Sequence, residues 1–359
     1  MPKSLLVSLL IPAALCLAPT ARGWDYEGHR LVNQLALASL PADFPAFVRE
    51  PANAGRIAFL AGEPDRWRNV PDLPLKQFGS WADHYCDLEQ IPDAGLDLHA
   101  LPSFRDDFIV QFAAGRAAHP GKFPAIDPAK NADHTREWPG FAPWAITEYF
   151  AKLRSAFSYL KVFEELGAPE EVDNARANVV YVMGVMGHYV GDCAQPLHTT
   201  VQHNGWVGDN PHGYTTWTAF HSWVDGGIIA KAGIKLAGLV PRTGPVPPIS
   251  LRRRSDGRDP MFVAVMDYLL AQNQLVEPLY QLEQAGKLSD QLEKTGKFHQ
   301  DPNPVDAEGR AFIESQLLKG GAMLAAIWTT AWHEAVPDAF LRSQLVRRQA
   351  AGGAPKDAK

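Results

Sequence analysis

The strongest constraint on the fold is a helical repeat with almost no competing strand pattern. From Trp144 to Leu166 the apolar side chains of Ile146, Tyr149, Phe150, Leu153, Phe157, Leu160 and Phe163 recur at helical spacing. Gly167 follows as a suitable C-terminal cap. The segment from Ala177 to Asp192 is apolar nearly all round, and its length favours a buried helix over a strand. Met261 to Leu282 and Phe312 to Trp332 also read as helices. Two-residue alternation is scarce, so the expected class is mainly α. Segments 90–143, 199–219, 238–260 and 284–310 read as loops from their Gly, Pro and Asn content and weak periodicity.

The ends read differently. Lys3, an apolar run from Leu5 to Ala18 and then Ala21-Arg22-Gly23 have the layout of an export leader with a small-residue cleavage site. Cleavage there leaves Trp24 as the first mature residue. The expectation is a leader over 1–23, a catalytic domain over 24–345 and a disordered tail over 346–359, in a secreted or periplasmic monomer. No later stretch is apolar and long enough for a stable membrane anchor. Without Lys3 and Arg22, 32 basic residues face 40 acidic ones, a formal charge of −8. Polyanion binders normally carry a basic surface. An anionic substrate would therefore have to be drawn by something local, such as bound cations.

Histidines and aspartates fall at ligand spacing. His188 and Asp192 lie four apart, on one helix face. His198 follows Gln195-Pro196-Leu197, where proline should end the helix. His221 and Asp225 repeat the four-residue spacing. Upstream lie His29, Asp65 and His84. A lone histidine on an apolar helix is usually a hydrogen-bonded core residue, and a lone aspartate usually a cap. The whole set is more specific than any member. Imidazole with carboxylate suits zinc. Five histidines and three aspartates are too many for one tetrahedral ion and about right for several ions sharing a carboxylate.

As a combination, His188-x3-Asp192-x5-His198 with Gln195-Pro196-Leu197, His221-x3-Asp225, His84-Tyr85-Cys86-Asp87 and Trp24-x4-His29 resemble the zinc-dependent single-strand-specific nucleases, the S1/P1 nuclease family. That family shares its fold with bacterial zinc phospholipases C. The motifs cover roughly residues 24–230. The resemblance implies a single-domain, multi-helix fold around a cleft with three Zn2+ per chain. Asp65, His84, His188 and Asp192 would hold one ion. The amino nitrogen and carbonyl oxygen of Trp24, with His29 and Asp192, would hold a second, and Asp192 would bridge the two. His198, His221 and Asp225 would hold a third.

The implied reaction is hydrolysis of single-stranded DNA and RNA to 5′-phosphates, with 3′-nucleotidase activity as a companion. Asp192 and Asp65 are the implied catalytic carboxylates, Asp65 assisting proton transfer. Arg68 resembles a phosphate contact, though a solvated charge fits equally. Tyr85 and Asp87 align with residues that stack on and hydrogen-bond a base. Asn204 and Asn210 stand where fungal members carry a Gly-Gly-Asn stretch, and either could read a base. Two alternatives are a zinc phospholipase C and a non-catalytic zinc-binding protein. Asp225, where the lipases carry glutamate, argues against the first. Cys86 and Cys193 each sit beside a ligand motif, with apolar packing the expected role.

Overall fold

The computed structural model describes residues 24–75, 81–288 and 305–352. The expected leader and the last seven residues of the expected tail lie outside them. Among the described residues there is no strand, and the chain is mainly helical. Ten helices organise it: α1 (Tyr26–Ala38), α2 (Pro51–Leu60), α3 (Glu63–Asn69), α4 (Arg105–Ala118), α5 (Ala142–Leu166), α6 (Pro169–Ala194), α7 (Pro260–Asn273), α8 (Val276–Gln284), α9 (Ala307–Glu334) and α10 (Ala339–Ala350). Short helical turns and irregular segments connect them. None of the described helices is long and apolar enough to cross a membrane.

α6 is the central element. Every residue from Met183 to Ala194 is buried, which explains why its sequence is apolar on all sides. It packs against α1, α2, α5 and α9. Close approach requires small residues at two places. A Cβ on Gly184 would lie 2.5 Å from Leu60 Cβ, and one on Gly187 would lie 1.7 Å from Asn33 Oδ1. The buried Asn33 in α1 donates from Nδ2 to the carbonyls of Ile57 (2.8 Å) and Gly184 (3.0 Å), tying α1, α2 and α6 together. α6 ends at Ala194 because Pro196 cannot donate a helical hydrogen bond. Gln195 caps the following 3-10 turn, Pro196–Thr199, by accepting from Leu197 N–H at 2.6 Å.

The predicted helices at 144–166, 177–192 and 312–332 are present within α5, α6 and α9. The expected helix over Met261–Leu282 is instead two, α7 and α8, interrupted at Gln274 and Leu275. Pro278 explains the break: in a continuous helix it would lack its N–H and clash with the carbonyl of residue 274. The segment 90–143 is not all loop, since α4 occupies fourteen of its residues and buries Phe108 and Phe112. The segment 238–260 holds one 3-10 turn, Val240–Arg242. The first residues of the expected tail are helical, because α10 continues to Ala350. Cys86 and Cys193 are buried free thiols.

Candidate metal centre

The centre is assembled where α1, α3 and α6 meet three short turns. α1 starts at Asp25, whose carboxylate accepts from Glu27 N–H and Gly28 N–H. The Asp25 amide donates to the Asp225 carbonyl at 3.2 Å, so the start of α1 is held beside Asp225. Trp24 is fully buried there, packed along Gly28, where an added Cβ would lie 2.9 Å from the Trp24 Cβ. His29 projects inward from the first turn of α1 and stacks on His188 with ring centroids 3.8 Å apart. Asp65 lies in the first turn of α3. His84 ends the 3-10 turn Ala82–His84. His221 precedes a π-helical turn, Trp223–Gly227, that contains Asp225. Such turns are uncommon and often occur at functional sites.

Ligand atoms converge in three groups: His29 with His188 and Asp192; Asp65 with His84 and His188; and His198 with His221 and Asp225. In each group the candidate atoms lie within 4.8 Å of one another. Asp192 joins the neighbourhoods, with a different oxygen toward each. Its Oδ2 is 3.0 Å from His84 Nδ1 and 3.3 Å from His188 Nε2. Its Oδ1 faces His29 Nε2 at 3.4 Å.

Main-chain carbonyls orient two of the rings. His188 Nδ1 lies 2.7 Å from the Ala61 carbonyl, and His198 Nδ1 lies 2.8 Å from the His84 carbonyl. A carbonyl oxygen only accepts, so both Nδ1 atoms carry protons and, in the neutral rings, both Nε2 atoms carry lone pairs. Those Nε2 atoms face other ring nitrogens: His188 Nε2 is 2.8 Å from His84 Nδ1, and His198 Nε2 is 2.9 Å from His221 Nε2. This is the usual arrangement of a metal-binding histidine, with the other nitrogen anchored to a carbonyl. Gln195 plays a similar part for Asp225, donating from Nε2 to Oδ1 at 2.7 Å.

Three buried ring nitrogens have no hydrogen-bond partner: His29 Nδ1, His84 Nε2 and His221 Nδ1. Burying such atoms unpaired is costly, and such a group in one place is what a polar core without cations would not tolerate cheaply. A donor set of imidazoles and carboxylates fits divalent metal ions of borderline softness.

The electrostatics favour metal-ready forms. Burial lowers the pKa of His29 and His198, takes His84 down to about 3 and holds His221 well below the usual imidazole range. These four rings are neutral at pH 7, whereas Asp192 and Asp65 outweigh burial at His188 and raise its pKa. Burial works to raise Asp192, but the charge of His188 and the hydrogen bonds from His188 and His29 outweigh it and hold the carboxyl well below its ordinary value. Burial similarly opposes ionisation of Asp65, and the His188 and Arg68 charges prevail. Burial raises Asp225 well above the carboxylate range, which a bound cation would reverse.

Around this centre lie the other expected contacts. Arg68 is only 5% exposed, so it is not a solvated surface charge. It ion-pairs with Asp65 at 2.7 Å and lies over the Trp81 ring. Its charge acts on His84, His198, His221 and Asp225. Residues 85–88 run extended beside the ligand turn: Cys86 N–H donates to the His198 carbonyl at 2.9 Å and Leu88 N–H to the Thr199 carbonyl at 3.2 Å. Tyr85 is half-buried under Gly140, where φ is +100° and any Cβ would strike the Tyr85 carbonyl. Asp87 is buried; Gln90 donates to its Oδ2 at 3.1 Å, while Oδ1 has no hydrogen-bond partner.

The two asparagines differ. Asn204 is half-buried. Asn210 has both ends of its amide committed, donating to the Tyr214 carbonyl and accepting from Tyr214 N–H, each at 2.8 Å. It braces its own loop. The spacing gave no sign of His203 as a site residue. Its ring lies 5.9 Å from the His221 ring, with Nδ1 3.1 Å from the Thr200 carbonyl and 4.0 Å from Asp87 Oδ1. Only the path of the loop brings it there.

The fold and site together define a helical protein with a buried, multi-histidine, metal-competent centre. No protein-family model matches this chain, and no curated protein matches it.

Proposed function

We propose that the mature chain is a zinc-dependent phosphodiester hydrolase that cleaves single-stranded DNA and RNA, leaving 5′-phosphates. The observation that carries this reading is the position of Asp192, with Oδ1 toward His29 and Oδ2 toward His84 and His188, beside a further group of His198, His221 and Asp225. Three Zn2+ would be held by Asp65, His84, His188 and Asp192; by Trp24 N and O, His29 and Asp192; and by His198, His221 and Asp225. When bound, such ions supply a water ionised near neutral pH and charge to stabilise the departing oxygen.

The chain's own residues have separable parts. Asp192 is ionised and oriented from several sides, which suits a bridging carboxylate. Arg68 is positioned by Asp65, and its Nε has no hydrogen-bond partner, leaving a donor for a phosphate oxygen. Asp65 is ionised and partly open, so it can accept a proton. Tyr85 offers a ring for stacking, which tolerates any base. Asp87 has its carboxyl pushed well above the usual range by burial, so its neutral form offers both a donor and an acceptor to a base edge.

The test is direct. Mature protein beginning at Trp24 is assayed on single-stranded DNA, RNA and phosphatidylcholine, with and without chelator, and its zinc content is measured. Strand cleavage lost on chelation, with about three zinc ions per chain, is the expected result. Turnover of the lipid alone would overturn the choice of substrate, and zinc without any turnover would overturn the enzyme reading.

A further inference from the structure

A second group of charged side chains lies away from the histidines, in the connection leading into α7. The sequence Arg252-Arg253-Arg254-Ser255-Asp256-Gly257-Arg258 puts four arginines within seven residues of an otherwise acidic chain. Asp256 organises two of them. Arg254 donates to its carboxylate at 2.8 Å and Arg258 contacts the same oxygen at 2.9 Å, while Arg258 N–H donates to Oδ1 at 3.1 Å. One carboxylate is thus shared by two guanidinium groups, and Asp267, on the border of the second recess, also acts on Arg254. Arg252 and Arg253 are exposed beside them.

This loop faces the 98–104 turn across two recesses. One, of about 380 Å³, is lined by Pro102, Ser103, Phe104, Asp256 and Arg258 among others. The other, of about 310 Å³, is lined by His99, Arg254, Arg258 and Asp267 with apolar residues of α7. Arg258 borders both. Phe104 is 75% exposed, the most open aromatic ring beside either recess. The two loops are tied by Asp259 N–H donating to Ser103 Oγ at 2.7 Å. α7 connects this region with the metal centre. It starts at Pro260, and at its other end Asn273 donates to the carbonyl of Thr199, the residue after His198, at 2.9 Å. A fourteen-residue helix spans about 20 Å.

We propose that Arg252, Arg253, Arg254 and Arg258, with Phe104, form a second anion-binding site that grips the phosphate backbone of a single strand remote from the metal centre. The choice of polyanion rests on the nuclease reading. Arginines supply phosphate contacts, an exposed ring supplies sequence-tolerant stacking, and the recesses give a phosphate or base room to seat. A membrane surface would call for a continuous apolar face, whereas Phe104 is flanked here by Ser103, Asp256 and Gly257.

The test compares the mature, metal-loaded chain with R252Q/R253Q/R258Q and with a control, R56Q/R347Q, that removes charge elsewhere. The probes are a labelled sixteen-residue 2′-O-methyl phosphorothioate strand, read by fluorescence anisotropy across salt concentrations, and a dinucleoside phosphate for turnover. The triple variant is expected to bind the strand about 10-fold more weakly at low salt. Its slope of log affinity against log salt should fall by about 0.7 for each phosphate that the variant no longer neutralises. Dinucleotide turnover should not change. Equal affinity and slope, or the same weakening in the control, would overturn the site. Loss of binding to phosphatidylglycerol vesicles with strand binding intact would assign the patch to a membrane and also overturn it. Failure of the nuclease reading is seen separately, as no turnover of the dinucleotide or of an unmodified strand.

Discussion

At the scale of single residues, the centre depends on which atoms carry protons. The carbonyls of Ala61 and His84 hold the Nδ1 protons of His188 and His198, so both rings present Nε2 inward. Asp192 has histidine neighbours on both oxygens. Asp192→Asn keeps the shape but removes the charge. The expected outcome is turnover reduced at least about 1,000-fold, with zinc content lowered. Near-normal turnover of that variant would exclude a bridged centre. Gln195 has a narrower part, orienting Asp225 and capping the turn that carries His198. Gln195→Ala should weaken the ion held by His198, His221 and Asp225 by about 10–100-fold. Stepwise chelation followed by zinc analysis reads this as one ion leaving early, and a uniform loss of all ions would contradict it. His188-x3-Asp192 was legible because a helix places those positions on one face. His203 was not, because its proximity to His221 comes from a folded loop with no periodicity.

At the scale of elements, small residues decide where ligand-bearing segments can meet. Gly226 lies in the π-turn where an added Cβ would be 2.2 Å from Asp25 Oδ2, so the turn with Asp225 and the start of α1 pack only without a side chain there. Gly187 does the same one residue before His188, against Asn33. Gly187→Ala should cost about 1–3 kcal/mol by overpacking and separation of α1 from α6. Denaturant unfolding checks this, and wild-type stability would refute the close approach. α10 is fastened differently. Arg348 donates to both oxygens of Glu171, which also accepts from Ala168 N–H at the start of α6. The Arg348 hydrogen bonds lower the Glu171 pKa below its ordinary 4.5. A depressed carboxyl stabilises the fold above its unfolded pKa and loses that contribution as pH falls through the folded value. Glu171→Gln should therefore loosen α10 at neutral pH by under about 1 kcal/mol, since the pair is partly exposed. Hydrogen exchange of α10 should show the gap closing below pH 4.5. Long repeats such as that of α5 were readable. α4 was not, because only Phe108 and Phe112 mark its buried face among short and charged residues.

At the scale of the molecule, an acidic chain collects imidazoles and carboxylates in its interior, beside the central helix α6. Ion binding then adds to folding free energy. Chelation should lower the thermal midpoint by more than about 5 °C, recovered on adding zinc, because a few kcal/mol shifts a domain of this size by several degrees. An unchanged midpoint would mean that the clusters hold no ion. The sequence by itself determined the helical class and the two His-x3-Asp pairs, because helical periodicity is local and needs only near neighbours along the chain. The tertiary structure alone decided that Asp65, His84 and His29 join α6, that Arg68 is buried against Asp65, and that Asn210 turns back on its own loop. Those outcomes depend on how glycines, carbonyls and packed faces bring distant segments together, and separation along the chain carries no record of that distance.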